Sequence, residues 1–176
     1  EVSLRKAIEQ SLNTVAWDIF EQITPKVGLS YLSNMNFKKL CADDYVQASA
    51  LGGFTYGTNT LEMAAAYTTL ANQGYYRKPT CIVKITDSEG KLIATPTVEG
   101  KKIYASEATL IMTDVLKGVM KQGTGKGLDL SNVPVAGKTG TTSAKKDGWF
   151  VGYTPYYTTA VWVGYDYPKT MPGLAG

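Results

Sequence analysis

Residues 138–142 combine one lysine, one glycine and three threonines, between an apolar lead-in and an aromatic segment. The flanking residues predict a strand that is largely buried. Lysine is rarely fully buried unless it is paired, and a glycine in a strand often marks the close approach of another backbone or a ligand. The triplet Lys138-Thr139-Gly140 also occurs in a catalytic set whose nucleophile is a serine. The chemistry to look for is therefore nucleophilic catalysis by a hydroxyl group.

The chain of 176 residues contains no histidine. Histidine-based acid–base catalysis and the usual histidine metal sites are therefore excluded, and proton transfer must use lysine, serine, tyrosine or a carboxylate. Cys41 and Cys81 fit neither a zinc-ligand spacing nor a CxxC redox pair. We expect two buried thiols; a single disulfide is an alternative without support. No metal or other cofactor is predicted.

Length and composition predict a folded chain of one domain or a large piece of one, with 44% hydrophobic and 19% charged residues. The net charge is +3, and the basic residues are scattered, which argues against nucleic-acid binding. No apolar run is long enough to cross a bilayer, and no signal peptide opens the chain. Both ends read as cut, so we expect a piece of a larger parent protein.

A helix with an apolar stripe is predicted at residues 3–23. It carries two further polar residues of interest, Ser11 and Asn13. Ser11 falls on this stripe, whereas Asn13 lies about 200° further round an unbroken helix. In a locally extended Ser11-Leu12-Asn13 the two side chains point the same way. An interruption would also let Asn13 cap a second helix at residues 14–23, which Pro25 ends.

Elsewhere the sequence alternates helical and strand-like patterns. Further helices are predicted at residues 31–40, from a capping box at residues 59–62 through Ala71 to a stop at Gly74, and from a cap at Ser106 to Gly123. Strands are predicted in a hairpin at residues 81–95 and, in the last third, at residues 133–142, 149–153 and 157–165. Helices followed by a run of antiparallel strands indicate the α+β class.

One interpretation of Gly137-Lys138-Thr139 is the end of a phosphate-binding loop, GxxxxGK[ST]. That pattern requires glycine at position 132, where this chain has Asn132. It also requires a helix that starts at the lysine, because phosphate binds at the helix N-terminus. A strand hairpin is predicted instead, so nucleotide binding is disfavoured.

A second interpretation joins Lys138-Thr139-Gly140 to Ser11-Leu12-Asn13. S-x-N and K-T-G occur in this order in serine–lysine acyl transferases, after an S-x-x-K motif that carries the nucleophile. Each short motif alone is weak, and Ser11-Leu12-Asn13 has a plain alternative as a capped helix break. Their order and their predicted positions, in a helix break and on a late strand, make the combination much more specific.

On these motifs the chain resembles the C-terminal part of the transpeptidase domain of class A penicillin-binding proteins. The resemblance spans nearly all 176 residues and is carried by residues 11–16, 50–53, 57–64, 70–74, 135–142, 148–155 and 160–165. It implies an α+β fold with a mostly antiparallel sheet flanked by helices, related to the β-lactamase-like fold. Residues 1–176 would then be the C-terminal portion of one transpeptidase domain, without its upstream segment and final helix.

The nucleophile of this set is not found in the chain. Three S-x-x-K strings begin at Ser3, Ser88 and Ser143. The first lies too close to Ser11 on the same helix, the second lies in a hairpin turn, and the third follows the K-T-G motif in an exposed connection. We expect the catalytic serine and its lysine on an upstream segment. We expect this fragment alone to be inactive, and stable only with its upstream part or as a mispaired oligomer, because its sheet edges would be exposed.

The resemblance implies acyl transfer on peptidoglycan stem peptides that end in D-Ala-D-Ala, with β-lactams as inhibitors. By position, Ser11 would relay a proton between the nucleophile, Lys138 and the leaving nitrogen. Asn13 would hydrogen-bond the acyl-side amide and orient the upstream lysine. Lys138 would supply positive potential for the substrate carboxylate. The parent protein would act, membrane-anchored, at the extracytoplasmic face of the bacterial cell membrane.

The resemblance also assigns the strand residues. The hydroxyls of Thr139 and Thr141 would bind the substrate carboxylate, and Gly140 would let the substrate backbone lie against the strand. The backbone N–H of Thr141 would supply half of the oxyanion hole. Three other functions stay open at this point: a serine β-lactamase, a D,D-carboxypeptidase, and a β-lactam sensor that binds without turnover. Residues 50–74 favour the transpeptidase.

Overall fold

The computed structural model describes residues 1–128 and 130–174. The N-terminal half is helical, with two short 3-10 helices at Ala42–Asp44 and Gln47–Leu51 and four α-helices: α1 Leu4–Glu9, α2 Asn13–Ile23, α3 Pro25–Asn34 and α4 Thr60–Ala71. One long helix, α5 Ser106–Gln122, follows four short strands: β1 Tyr75–Arg77, β2 Ile85–Thr86, β3 Leu92–Ala94 and β4 Gly100–Lys102. Three longer strands end the described chain: β5 Ala136–Thr141, β6 Asp147–Tyr153 and β7 Thr158–Gly164.

The predicted interruption of the first helix is confirmed between α1 and α2. Ser11 has a left-handed backbone with φ of 55°, and Leu12 is extended. The predicted cap is wrong, because Asn13 is already the first residue of α2 and no side chain caps the helix. The extended residue that precedes the helix is Leu12, so the cap position falls one residue earlier than predicted.

Pro25 separates two helices and begins the second of them. The helix predicted at residues 31–40 is wrong in its bounds, since α3 starts at Pro25 and ends at Asn34. Proline fits the first turn of a helix because its missing N–H has no partner there. Thr24, with φ of 70°, ends α2, and its side chain accepts a hydrogen bond from the Val27 N–H at the start of α3.

The caps of α4 and α5 differ in detail from the prediction. The Asn59 side chain accepts from the Glu62 N–H, as one half of a capping box requires. The Glu62 carboxylate accepts from the Lys38 N–H and the Thr58 hydroxyl instead of closing the box. In α5 the cap is Ala105, one residue before Ser106.

Two small antiparallel ribbons connect α4 to α5. The predicted hairpin is confirmed as β2 paired with β3, and the sequence pattern missed the pairing of β1 with β4. Every residue from 77 to 95 is exposed. The prediction of two buried thiols is therefore wrong for Cys81, which is exposed; Cys41 is half-buried, and both are free.

The three longer strands form one antiparallel sheet in the order β5-β6-β7, which confirms the predicted α+β class. Ala136 lies opposite Tyr153, and Lys138 lies opposite Val151, so these residues share one face. On this face Ala136 and Tyr153 pack with Leu116 and Val119 of α5 and with partly buried residues of α1 and α4. Helices α1, α4 and α5 thereby fix the position of β5.

Candidate active site

Two adjoining clefts meet along β5. The larger, of about 780 Å³, lies between β5, the start of α4 and the loop of residues 51–58. The smaller, of about 400 Å³, lies between β5 and the α1–α2 break. The smaller cleft is lined by all six residues that the sequence predicted for the site: Ser11, Asn13, Lys138, Thr139, Gly140 and Thr141.

Ser11 and Lys138 meet directly in this cleft. The Lys138 Nζ donates to Ser11 Oγ at 2.8 Å, across 127 residues of sequence, and to the Thr139 carbonyl at 2.9 Å. The interruption of the helix places the Ser11 hydroxyl within reach of the strand. The two motifs that the sequence joined are thus in contact, and the lysine of the strand is paired.

Two ionisable side chains that line the cleft, Lys138 and Tyr67, have pKa values shifted in opposite directions. Burial lowers the pKa of Lys138 below that of an ordinary lysine, because desolvation disfavours the ammonium form. Tyr67, which lines both clefts, has its pKa raised to about 12, chiefly by burial and also by the nearby Tyr153 and Tyr104. Tyr67 therefore stays protonated at neutral pH, and Lys138 is the better suited of the two to exchange a proton.

Asn13 lines the smaller cleft as the first residue of α2. Its side chain is exposed and makes no hydrogen bond with any of the described residues. The structure therefore brings Asn13 to the same cleft as Ser11 and Lys138, and among the described residues no hydrogen bond joins Asn13 to Lys138. Its amide group is available to a ligand.

Thr139 and Thr141 of β5 lie in different surroundings. Thr139 is 8% exposed, and its hydroxyl lies 2.7 Å from the hydroxyl of Thr124, in the turn after α5. Thr141 is exposed and pairs with Gly148 at the end of the ladder. The sequence pattern does not single out Thr124, because Gly123-Thr124-Gly125 is typical of a helix end.

Asp44 is a second residue that the sequence pattern does not single out. Its buried carboxylate accepts from the Thr55 N–H at 2.7 Å, the Thr55 hydroxyl at 2.8 Å and the Cys41 N–H at 2.9 Å. Hydrogen bonds from the Thr55 and Cys41 backbones hold the pKa of Asp44 below its usual value. These bonds hold the loop whose residues 51–54 and 57–58 line the larger cleft.

The acidic and thiol groups of the structure do not gather into a metal site. Within residues 1–128 and 130–174, no group of three or more histidine, cysteine, aspartate or glutamate residues could hold a metal ion. In the same part of the chain, no helix combines the length and the apolar character needed to span a membrane.

Comparison with known families assigns the chain. Residues 1–170 match the family described as the penicillin binding protein transpeptidase domain. The chain belongs to this family. The resemblance that the motifs predicted is thereby confirmed, and the sheet and helices described above are those of a transpeptidase domain.

Curated relatives of this transpeptidase chain are themselves penicillin-binding proteins. It is 37% identical over 173 residues to penicillin-binding protein 4 of Bacillus subtilis, with 98% of this chain and 28% of the relative covered. It is 39% identical over 172 residues to penicillin-binding protein 1A of Clostridium acetobutylicum, with 97% and 21% covered. The chain thus spans between a fifth and three-tenths of the length of these relatives.

Solved structures agree on the fold. Penicillin-binding protein 1A from Haemophilus influenzae superposes with a TM-score of 0.88 at 22% identity, over 99% of this chain and 32% of that one. The PonA1 protein from Mycobacterium tuberculosis, solved in complex with penicillin V, gives a TM-score of 0.80 at 26% identity, over 92% and 47%. The transpeptidase chain therefore has the fold of these domains.

Proposed function

We propose that residues 1–176 form the C-terminal portion of a serine D,D-transpeptidase domain that cross-links peptidoglycan stem peptides and is inhibited by β-lactams. The observation that carries this proposal is the 2.8 Å hydrogen bond from Lys138 Nζ to Ser11 Oγ. It joins a lysine of lowered pKa to a hydroxyl beside an open cleft, as a proton relay requires. The nucleophilic serine and its lysine lie on an upstream segment of the same domain, which is the first partner of this chain.

The first half of the reaction forms an acyl-enzyme. The upstream serine adds to the carbonyl carbon of the penultimate D-alanine and gives its proton to the upstream lysine. The C–N bond breaks, and the terminal D-alanine leaves as an amine after Ser11 Oγ donates a proton to its nitrogen. Ser11 regains a proton from the upstream lysine, which carries the one taken from the nucleophile, while Lys138 Nζ donates a hydrogen bond to Ser11 Oγ.

The second half transfers the acyl group to the acceptor. The amine of a neighbouring stem peptide attacks the ester carbonyl, a new amide C–N bond forms as the C–O bond to the upstream serine breaks, and the released serine oxygen takes up the proton that the amine loses. The Thr141 N–H donates to the oxygen that becomes negative in both halves. The hydroxyls of Thr139 and Thr141 and the charge of Lys138 bind the substrate carboxylate, Gly140 leaves room for its backbone, and Asn13 bonds its acyl-side amide.

The intact protein that carries this chain provides the test. Its acylation by a fluorescent penicillin is measured as a rate, followed by the lifetime of the adduct. Replacing Ser11 by alanine removes the proton relay, so Ser11→Ala should slow acylation by about 10²–10⁴-fold. Ser33→Ala, on the exposed part of α3, is the matched control and should leave the rate unchanged.

The outcomes separate the candidate functions. A durable adduct together with cross-linking of stem peptides in vitro supports the transpeptidase. Rapid hydrolysis of the adduct indicates a β-lactamase. A durable adduct without cross-linking indicates a D,D-carboxypeptidase if D-alanine is released from stem peptides, and a β-lactam sensor if it is not. Absence of labelling in the wild-type protein overturns the proposed chemistry.

Fractionation of cells, with the protein on the outer face of the cell membrane, would test the proposed extracytoplasmic location.

A further inference from the structure

A pair of hydroxyl groups links the candidate site to the turn behind it. Thr139, on β5, is 8% exposed, and its hydroxyl lies 2.7 Å from the Thr124 hydroxyl. Within the described ranges, Thr124 supplies the one side-chain hydrogen bond of Thr139. Thr139 lines both clefts, whereas Thr124 is not among the described residues that line either of them. Thr124 can therefore act on a ligand only through Thr139.

The position of Thr124 is fixed from both sides. Its backbone N–H donates to the Glu9 carbonyl at 3.0 Å, at the end of α1. A side chain at Gly123 would overlap that same carbonyl, so glycine permits the close approach of the turn to α1. The Gly125 N–H donates to the Val119 carbonyl of α5 at 3.1 Å. The turn holds the Thr124 hydroxyl against the strand as part of the fold.

The direction of the hydrogen bond between the two threonines follows from the ligand. A hydroxyl has one hydrogen to donate and two lone pairs to accept with. An ionised carboxylate only accepts, so a Thr139 hydroxyl that binds it must give its hydrogen to the carboxylate. The hydrogen between the two threonines must then come from Thr124. A chain of this kind, from Thr124 to Thr139 to carboxylate, polarises each bond and strengthens the next.

We propose that Thr124 is a positioning residue that donates to Thr139 and thereby fixes the Thr139 hydroxyl as a donor toward the ligand carboxylate. This inference rests on the proposed function, in which Thr139 binds that carboxylate. It adds a residue on a different element, 15 positions before Thr139, to the determinants of ligand affinity. Removal of the Thr124 hydroxyl would leave Thr139 free to turn its hydrogen away from the cleft.

The test compares two ligands that differ in the carboxylate alone. The intact protein, its Thr124→Val and Thr124→Ser variants, and the control Thr95→Val on the exposed stretch of residues 77–95 are acylated by benzylpenicillin and by benzylpenicillin methyl ester. Valine keeps the shape of threonine and lacks the hydroxyl; serine keeps the hydroxyl. Thr124→Val should slow acylation by benzylpenicillin by about three- to tenfold, the value of one hydrogen bond.

The same change should leave acylation by the methyl ester at the wild-type rate. Thr124→Ser should acylate like the wild type with both ligands, and so should Thr95→Val. Equal slowing with both penicillins would assign Thr124 a merely structural role, and wild-type rates in Thr124→Val would remove it from the site; either result overturns the inference while the proposed function stands. If neither penicillin labels the wild-type protein, the proposed function fails and takes this inference with it.

Discussion

Lys138 differs from a surface lysine because its ammonium is partly withdrawn from water. Burial lowers the pKa of Lys138, so this group loses its proton at a lower pH than a free lysine does. Its positive charge faces the Ser11 hydroxyl and the Thr139 carbonyl at hydrogen-bond distance. Deprotonation of Lys138 would therefore remove the positive charge that faces these two oxygens.

The pH profile should reveal this titration. In the wild-type protein, acylation by a penicillin should fall as pH rises through the lowered pKa of Lys138, because the positive potential in the cleft disappears. Lys138→Arg keeps its charge to much higher pH, so the alkaline fall should move upward, whatever the loss of rate at neutral pH. Rates measured from neutral to alkaline pH test this, with the exposed Lys84→Arg as control. If the acylation rates of the wild type and Lys138→Arg fell at the same alkaline pH, the fall would be assigned to another group.

At the scale of elements, α1 fits into a notch in α5. The buried side chain of Glu9, 1% exposed, accepts hydrogen bonds from Gln122 Nε2 to both carboxylate oxygens, each at 3.0 Å. A methyl group on Gly118 would overlap the Glu9 carboxylate. This contact holds the end of α1, and with it the turn at Ser11, against the helix that supports β5.

The contact of Glu9 with Gly118 predicts the direction of a stability change. In an exposed helix, glycine to alanine stabilises by about 1 kcal/mol through helix propensity. Gly118→Ala should instead destabilise the protein by about 1–3 kcal/mol, because the added methyl group overpacks the Glu9 site. Denaturant unfolding of the intact protein measures the difference, and acylation should slow as the Ser11 turn shifts. If the Gly118→Ala protein were more stable than the wild type, α1 and the Glu9 side chain would be shown to accommodate the methyl group without loss of stability.

The elements that the sequence predicts well are those with local causes. The hairpin of β6 and β7 follows from strand-like residues around a Thr154-Pro155 turn, and the break between α1 and α2 follows from the phase conflict of Ser11 and Asn13. The ribbon of β1 and β4 could not be predicted this way, because each strand has only three residues and the two are separated in sequence by the β2–β3 hairpin.

The same distinction between local and long-range causes applies to the residues of the candidate site. The residues of the two motifs could be predicted because their types and order are specific. Thr124 and Asp44 could not, because their roles come from hydrogen bonds to Thr139 and Thr55 that form only when the chain is folded. A threonine between two glycines and an aspartate in a loop have common alternatives as turn residues.

At the scale of the whole molecule, the three-stranded sheet has unpaired edges and, on β7, exposed residues at alternate positions. Among the described residues β5 and β7 each pair only with β6, so both are edge strands. Val161 and Val163 of β7 are exposed on the face opposite the packed helices. Unpaired edges and apolar faces of this kind are templates for association with another chain.

Expressed by itself, the 176-residue chain should therefore self-associate. Light scattering after size-exclusion chromatography should give masses above that of a monomer, and the double variant Val161→Thr, Val163→Thr should shift the distribution toward smaller species. Circular dichroism tests in parallel whether the strands and helices form. A monodisperse, cooperatively folding monomer would contradict this expectation and show that the sheet needs no cover.

The backbone at Ser11 has a consequence for laboratory evolution. With φ of 55° this serine holds a left-handed conformation, which costs a residue other than glycine about 1 kcal/mol or more and which glycine or asparagine adopts more readily. A screen that rewards heat resistance alone would therefore favour glycine or asparagine at this position, and would discard the hydroxyl that Lys138 holds. If serine were retained at this position among heat-selected variants, the screen would also have selected for the function of the Ser11 hydroxyl.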